Sequence, residues 1–203
     1  MQVGLDANVM LPQLMLSNAN LQWVERIKYL GVYIVAGKSF SVDSCCNRTK
    51  FLSAVFGILQ KCGKVSEEVK FNVIQHSCLE VLLYGVDALS LKQCQVQKLS
   101  VAYNTAVRRC FNMSRATSVR NVLYFMNSLP IGVILDLRKT LLLKSCIESP
   151  SEIVRLCGLI RNEDVDVLNV FYKYDVHCFM SRSFIKSNVK SVFFDGLRYE
   201  GLV

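Results

Sequence analysis

The chain has 203 residues, and 52% of them are hydrophobic, so it is long enough and apolar enough to bury a sizeable core. This composition excludes an intrinsically disordered chain, which would be poor in apolar residues. Lysine and arginine number 24 against 16 aspartates and glutamates, and the resulting formal charge of +8 favours phosphate-rich partners. Charge alone does not separate a nucleic-acid-binding protein from other basic proteins.

Neither a membrane span nor a secretory signal is predicted. The most apolar stretch, residues 81–91, contains Asp87 and is too short to cross a bilayer, and the N-terminus lacks the basic-then-apolar pattern of a signal peptide. The nine cysteines are odd in number and lie in apolar segments, which predicts reduced core thiols rather than a disulfide framework. We therefore expect an intracellular protein of the nucleus or cytoplasm that is not secreted.

The first part of the chain alternates apolar and polar residues, as a small antiparallel sheet would. Residues 13–17 and 22–24 alternate around a turn predicted at residues 18–20. A second alternation runs over residues 26–35. The sequence therefore predicts a β-hairpin element within residues 1–36.

A first helix is predicted after this element. Ser41 and Asp43 are plausible helix starts, and residues 62–64, which include a glycine, are predicted to end the helix. Its predicted apolar face consists of Phe51, Leu52, Val55, Phe56 and Leu59.

A second helix is predicted from Ser66 as the N-cap, with Glu67 and Glu68 in the first turn. Its apolar periodicity continues without a break to Tyr84 and Gly85, so we expect one long helix. The residues of its predicted apolar face are Phe71, Ile74, Cys78, Leu79, Leu82 and Leu83.

Three more helices are predicted between residues 91 and 149. The first begins near Leu91 and ends around Asn112, and a shorter one covers residues 118–126. The third begins at Pro130, whose fixed φ suits a first helical turn, and ends before residues 149–151.

The predicted fold is mainly α, with a small N-terminal antiparallel β-hairpin element followed by a helical bundle. Three regions are predicted: residues 1–36 as the hairpin element, residues 37–149 as the bundle, and residues 150–203 as a helical extension without further assignment.

Several motifs occur in an order that is similar to one known family. They are, in chain order, Val3-Gly4-Leu5 with Asn8 and Met15; Leu21-Gln22-Trp23-Val24; Ile27-Lys28-Tyr29-Leu30-Gly31-Val32-Tyr33; residues 47–57 and 63–73; and Val81-Leu82-Leu83-Tyr84-Gly85 with Ala88. Together they cover roughly the first two-thirds of the chain. The series resembles the C-terminal palm and thumb region of non-LTR (LINE-type, jockey-like) retrotransposon reverse transcriptases.

The resemblance implies that the hairpin is similar to a primer grip and that the helical bundle is similar to a thumb lying along an RNA/DNA template–primer duplex. Such a thumb contacts the backbone with little sequence readout. The residues expected on this basis to contact nucleic acid are Lys28, Tyr29, Leu30, Gly31, Lys64, Arg108, Arg109, Arg115 and Arg120. The alternative is a plain hairpin glycine at Gly31 and solvated helix faces for the basic residues.

The family's polymerases hold two Mg²⁺ ions with carboxylates that include an Asp-Asp pair. The sequence contains no such pair, which in a whole polymerase would lie upstream of Met1. Leu11-Pro12 stands where the family usually has Lys-Thr, and Glu80 stands where many relatives have proline. The resemblance therefore implies a fragment of an RNA-directed DNA polymerase that has no catalytic residue and no cofactor, contacts template–primer without catalysing synthesis, and could also contact the palm of its parent polymerase.

Other sites have less support in the sequence. His177 and Cys178 are the only close Cys/His pair, whereas structural zinc needs four ligands, and no pattern selects one cysteine as a nucleophile. Residues 163–166 are interpreted as a solvated acidic turn at the start of a short helix. The alternative function is a non-catalytic helical protein-interaction module derived from a retroelement, which would dock a partner through exposed apolar surface.

Overall fold

The computed structural model describes residues 12, 14–16, 19–37, 41–43, 45–89 and 91–199. Its strands are β1 (Leu14–Leu16), β2 (Ala19–Leu21), β3 (Arg26–Tyr29), β4 (Val32–Val35) and β5 (Ser41–Asp43). Its helices are α1 (Cys45–Lys61), α2 (Glu67–Ser77), α3 (Leu79–Leu83), α4 (Gln93–Cys110), α5 (Arg120–Phe125), α6 (Ile131–Ile147), α7 (Glu152–Arg161), α8 (Val165–Tyr174) and α9 (Arg182–Tyr199). The predicted mainly helical fold with a small N-terminal antiparallel element is confirmed.

The strands form two small antiparallel sheets. β1 pairs with β2, and the second sheet has the order β3-β4-β5. The predicted alternation over residues 26–35 is the β3–β4 hairpin. The turn predicted at residues 18–20 is wrong at residues 19 and 20, and the strand predicted at residues 22–24 is wrong, because the second strand is Ala19–Leu21; residue 18 lies outside the described residues. Paired with β1, this strand contains two of the three residues that were assigned to the turn.

α1 begins after the second sheet. The prediction of Ser41 as a helix start is wrong, because Ser41 pairs with Val35 in β5. Asp43 ends that strand, and its Oδ1 accepts a hydrogen bond of 2.8 Å from the backbone nitrogen of Cys45, the first residue of α1. A carboxylate in this position satisfies one of the orphan amides of a helix start. The helix ends at Lys61, as the glycine-containing segment predicts.

The single helix predicted from Ser66 to Tyr84 is wrong, because α2 and α3 are separated at Cys78. The carbonyl of Cys78 accepts hydrogen bonds from the amides of Val81 (3.0 Å) and Leu82 (3.3 Å), so the chain tightens there. Both helices still bury their apolar faces. The break therefore divides the segment into two helices without losing the apolar periodicity that predicted one helix.

A first core lies between α1, α2, α3, α4, α5 and α6. Its polar member is Tyr103, whose hydroxyl oxygen accepts a hydrogen bond of 2.9 Å from Nε2 of Gln75, while the Oγ of Ser128 donates to Oε1 of Gln75 (3.2 Å). Buried polar groups need such partners. Its apolar members include Phe51, Val55, Phe71, Ile74, Leu82, Leu83, Leu99, Val107, Leu123 and Ile131.

A second core joins α6 to α8 and α9. It contains Leu129, Val133, Leu143, Val167, Val170, Phe171, Tyr174, Ile185 and Val189. Helix α6 contributes to both cores, because Ile131 and Leu135 pack in the first and Val133 and Leu143 in the second. The region boundaries predicted after residues 36 and 149 stay predictions. β4 pairs with β5 across the first boundary, and α6 packs against α7 across the second.

α7 exposes its apolar side chains. Gly158 faces α6 so closely that a Cβ built on it would lie 2.9 Å from the Cβ of Cys146. Ile153, Leu156 and Ile160, spaced three and four residues apart, form a stripe that is 75%, 56% and 72% exposed. In the part of the chain that the structure describes, no helix is long and apolar enough to cross a membrane.

Candidate nucleic-acid interface

The tip of the β3–β4 hairpin holds the first group of predicted residues. Tyr29 pairs with Val32, and the two residues between them, Leu30 and Gly31, have φ values of +45° and +84°. Positive φ at both central positions defines the tight turn whose twist matches antiparallel strands, and glycine adopts it at little cost. Lys28, Tyr29 and Leu30 are exposed at this tip.

The hairpin tip docks on the segment that follows α3. The hydroxyl of Tyr84 donates a hydrogen bond of 2.9 Å to the carbonyl oxygen of Leu30. A Cβ on Gly31 would lie 3.4 Å from the Tyr84 ring, and a Cβ on Gly85, whose φ is +73°, would lie 2.6 Å from Cγ2 of Val32. The two motifs that suggested the resemblance therefore contact one another. The positive φ at both glycines, and the close contact with Val32 at Gly85, explain why a residue with a side chain would be strained at these positions.

Side chains of α1 and α6 hold the docking segment in place. Nδ2 of Asn47, on α1, donates a hydrogen bond of 2.9 Å to the carbonyl oxygen of Tyr84. Arg138, on α6, pairs with Glu80 and lies 3.4 Å from the Oδ2 of Asp87. Burial raises the pKa of the Asp87 carboxyl, an effect that the Arg138 charge opposes. Glu80 thus contributes to the anchoring of α3 on α6.

The second group of predicted residues lies at the C-terminal end of α4. Arg108 and Arg109 occupy its last turn, and Asn112, with φ of +50°, turns the chain away from the helix axis. The Nε of Arg108 donates to the carbonyl oxygen of Thr117 (3.0 Å), so this arginine closes the following loop onto α4. Ser114 and Thr117 share a hydrogen bond of 2.9 Å within that loop.

The loop and the helix end enclose an open cleft of about 630 Å³. Its lining residues are Thr105, Arg108, Arg109, Asn112, Met113, Ser114 and Arg115. Three of them carry guanidinium groups and none carries a carboxylate. Among the residues that the structure describes, none of these three arginines has a carboxylate within ion-pairing distance. We call this site the basic cleft.

The chemistry of the basic cleft suits a phosphate group. Arginine presents a planar fork of N–H donors that matches phosphate oxygens, and the hydroxyl of Ser114 and the amide of Asn112 add neutral hydrogen-bonding groups. Arg108 and Arg109 also offset the negative end of the α4 dipole, which is a structural role. Arg109 and Arg115 are exposed, whereas Arg108 is half-buried.

The remaining predicted residues lie elsewhere. Lys64 is exposed in the loop after α1, and Arg120 is exposed at the start of α5; neither lines the basic cleft. Asn112 and Ser114, which line the basic cleft, were not predicted as site residues. Phe56 was not predicted as one either, and its ring centroid lies 5.9 Å from the guanidinium carbon of Arg109. Phe56 was assigned to the buried face of α1, but it is 39% exposed.

His177 and Cys178 are both in contact with neighbouring side chains. The ring of His177 lies between Phe171 and Phe179, with both ring centroids 4.8 Å away. The neighbouring Cys178 is buried, donates to Oδ1 of Asn162 at 3.0 Å, and has its thiol pKa raised by burial. A raised pKa keeps the thiol protonated, and the thiolate is the reactive form.

Of the nine cysteines, all are free thiols, but only Cys78, Cys110 and Cys178 are buried. The prediction that the cysteines are core thiols is therefore wrong for Cys45, Cys94 and Cys157, which are exposed. No group of three or more His, Cys, Asp or Glu residues converges as metal ligands within the described ranges.

No protein-family model matches the chain, and no curated protein and no solved structure matches it either.

Proposed function

We propose that the chain binds the sugar–phosphate backbone of nucleic acid at the basic cleft, as a thumb-like part of a reverse transcriptase that contacts template–primer without catalysing synthesis. The observation that carries the proposal is the concentration of three guanidinium groups around one open cleft that no carboxylate lines. The resemblance in motif order and the formal charge of +8 support the same partner. Such contacts would be independent of base sequence.

The hairpin tip is the second contact in this proposal. Lys28 and Tyr29 are exposed there, and the docking of the turn on Tyr84 holds the tip in one orientation relative to α3. An orientation fixed in advance lowers the entropy lost on binding. Because Tyr84 already occupies the carbonyl of Leu30, we assign the hairpin contact to the Lys28 and Tyr29 side chains.

The salt dependence of binding tests the proposal. Fluorescence anisotropy with a labelled RNA/DNA duplex is expected to show an affinity that falls steeply as salt rises. In an Arg109→Gln/Arg115→Gln variant, the affinity at about 0.1 M salt is expected to fall about tenfold, and the slope of log K against log salt to decrease by about 2, because each phosphate contact contributes about 0.9.

A matched control is available on α9. Lys186→Gln/Lys190→Gln removes the same charge from two exposed positions that do not line the basic cleft. This variant is expected to stay within about twofold of the parent chain in affinity. Equal losses in the two double variants would assign binding to net charge and contradict the cleft, and no binding at low salt would sink the proposed function.

A second candidate function, a protein-interaction module, is favoured by the exposed stripe of Ile153, Leu156 and Ile160 on α7. It predicts weak, concentration-dependent self-association in analytical ultracentrifugation. An Ile153→Gln/Ile160→Gln variant is expected to abolish this association, whereas Arg109→Gln/Arg115→Gln leaves it unchanged. A parent chain that stays monomeric at every concentration would refute this candidate.

A further inference from the structure

We propose that Phe56 and Arg109 form a stacking platform for an unpaired nucleobase at the edge of the basic cleft. This inference rests on the proposed function and names the kind of nucleic acid that the cleft prefers. It predicts that a single strand, or a duplex with a single-stranded overhang, binds better than a blunt duplex.

The platform is built where α1 packs against α4. Phe51 and Val55 on α1 are completely buried, but Phe56 turns outwards and is 39% exposed. The guanidinium carbon of Arg109 lies 5.9 Å from the centroid of the Phe56 ring, within the range of a cation–π contact. Arg109 is itself exposed and lines the basic cleft, so the aromatic ring and the phosphate-binding groups are neighbours.

The Phe56 ring restricts the conformations that the Arg109 side chain can adopt. An arginine side chain in water has many rotamers, but a guanidinium in contact with an aromatic face keeps a smaller set of them. Nucleobases stack on aromatic rings and on guanidinium planes. Because both groups are exposed, an incoming base can extend the contact from the Arg109 side or the Phe56 side.

The geometry favours an unpaired base over a paired one. Inside a continuous duplex each base has neighbours on both faces, so only the backbone can reach the cleft. An unpaired base has free faces, and its own phosphates can lie against Arg108 and Arg115. The cleft volume of about 630 Å³ lies within the usual range of about 300–1,000 Å³ for sites that take small molecules.

The test compares four labelled probes by fluorescence anisotropy at one salt concentration. They are a single strand, the same strand with abasic sites, a blunt duplex, and a duplex with a single-stranded overhang. Phe56→Ala is expected to weaken binding of the single strand and the overhang duplex at least about fivefold, which is the lower end of the effect of removing one stacking aromatic. Binding of the blunt duplex and the abasic strand is expected to change less than twofold.

Three further variants make the result specific. Phe56→Trp keeps an aromatic face and is expected to retain the preference for unpaired bases. Phe56→Leu keeps apolar bulk and is expected to lose the preference, which separates stacking from general packing. Tyr172→Ala removes an aromatic that is 83% exposed on α8, a helix that packs against α6 and α9, and is expected to have no effect.

The outcomes separate the two proposals. If the single strand and the blunt duplex bind equally and Phe56→Ala changes neither, the platform is refuted while backbone binding stands. If Phe56→Ala weakens all four probes equally, Phe56 acts only by positioning Arg109, which also overturns the platform. If no probe binds with salt-dependent affinity, both proposals fail.

Discussion

A Gly85→Ala variant is expected to be about 2–5 kcal/mol less stable than the parent chain. The backbone at Gly85 has φ of +73°, which costs a residue with a side chain about 1–2 kcal/mol. The new Cβ would also lie 2.6 Å from Cγ2 of Val32, and forcing such a contact apart costs about 1–3 kcal/mol more. Val32 is β-branched and stiff, so it has little freedom to turn away.

Urea unfolding measures this loss, and Gly31→Ala is the matched control. Gly31 also has a positive φ, but a Cβ there would lie 3.4 Å from the Tyr84 ring, which is an ordinary contact. Gly31→Ala is therefore expected to cost only the conformational part, about 1–2 kcal/mol. Val32→Ala introduced into Gly85→Ala is expected to restore the part of the loss that comes from the clash.

Hydrogen exchange locates the change. If the hairpin undocks in Gly85→Ala, the amides of β3 and β4 are expected to lose protection before those of the helical cores. A loss in Gly85→Ala no larger than in Gly31→Ala would show that the contact between Val32 and Gly85 does not hold the hairpin.

Raising the pH from 10 to 12 is expected to remove about 2 kcal/mol of stability through Tyr103 alone. Burial raises the pKa of this hydroxyl from 10 to about 12, although the hydrogen bond from Gln75 lowers it. In the unfolded chain this hydroxyl has its ordinary pKa. Above pH 10 the unfolded chain therefore releases the proton first, which stabilises it relative to the folded chain. The stability is thus fully present below pH 10 and is lost as the pH rises towards 12.

Tyr174 acts in the same direction. Burial, the charge of Asp136, and the hydrogen bond of 2.9 Å that the hydroxyl donates to Asp136 all raise the pKa of Tyr174. Burial also raises the pKa of the Cys110 thiol to about 11, which adds a loss that begins near pH 9. Only a comparison of variants therefore isolates Tyr103.

Urea unfolding of Tyr103→Phe at a series of pH values provides that comparison. This variant is expected to lose about 1 kcal/mol at neutral pH, because Gln75 loses its acceptor, but to lose less stability than the parent chain between pH 10 and 12. Tyr172→Phe, at a position that is 83% exposed, is expected to keep the parent's pH dependence. Identical alkaline profiles for Tyr103→Phe and the parent would contradict the assignment.

The helical part of the fold follows from local patterns. The spacing of apolar residues placed α4 and α6 within two residues of their observed starts, because each helix has one face that must be buried. The break at Cys78 has no such signal. The apolar residues keep a helical spacing through it, and only their packing against α1 and α4 decides that the helix is interrupted there.

The candidate site was predicted in part. The arginines that follow one another in the last turn of α4 indicated a basic patch, and Arg108, Arg109 and Arg115 do line one cleft. Phe56 was misassigned, because a residue at the edge of an apolar stripe can face inwards or outwards, and the neighbouring helix decides which. Asn112 was expected only to end the helix. It also lines the cleft, because its positive φ turns the chain from α4 into the loop that borders the cleft.

The sequence by itself determined the class of fold, the tight turn at Leu30-Gly31 and the approximate bounds of α4, α5 and α6, because turn chemistry and apolar periodicity act between residues that are close along the chain. Tertiary structure alone decided that this turn contacts Tyr84 and Gly85, more than fifty residues later, and that Phe56 lies beside Arg109. These contacts depend on how helices far apart in sequence pack together, and no local pattern encodes that arrangement.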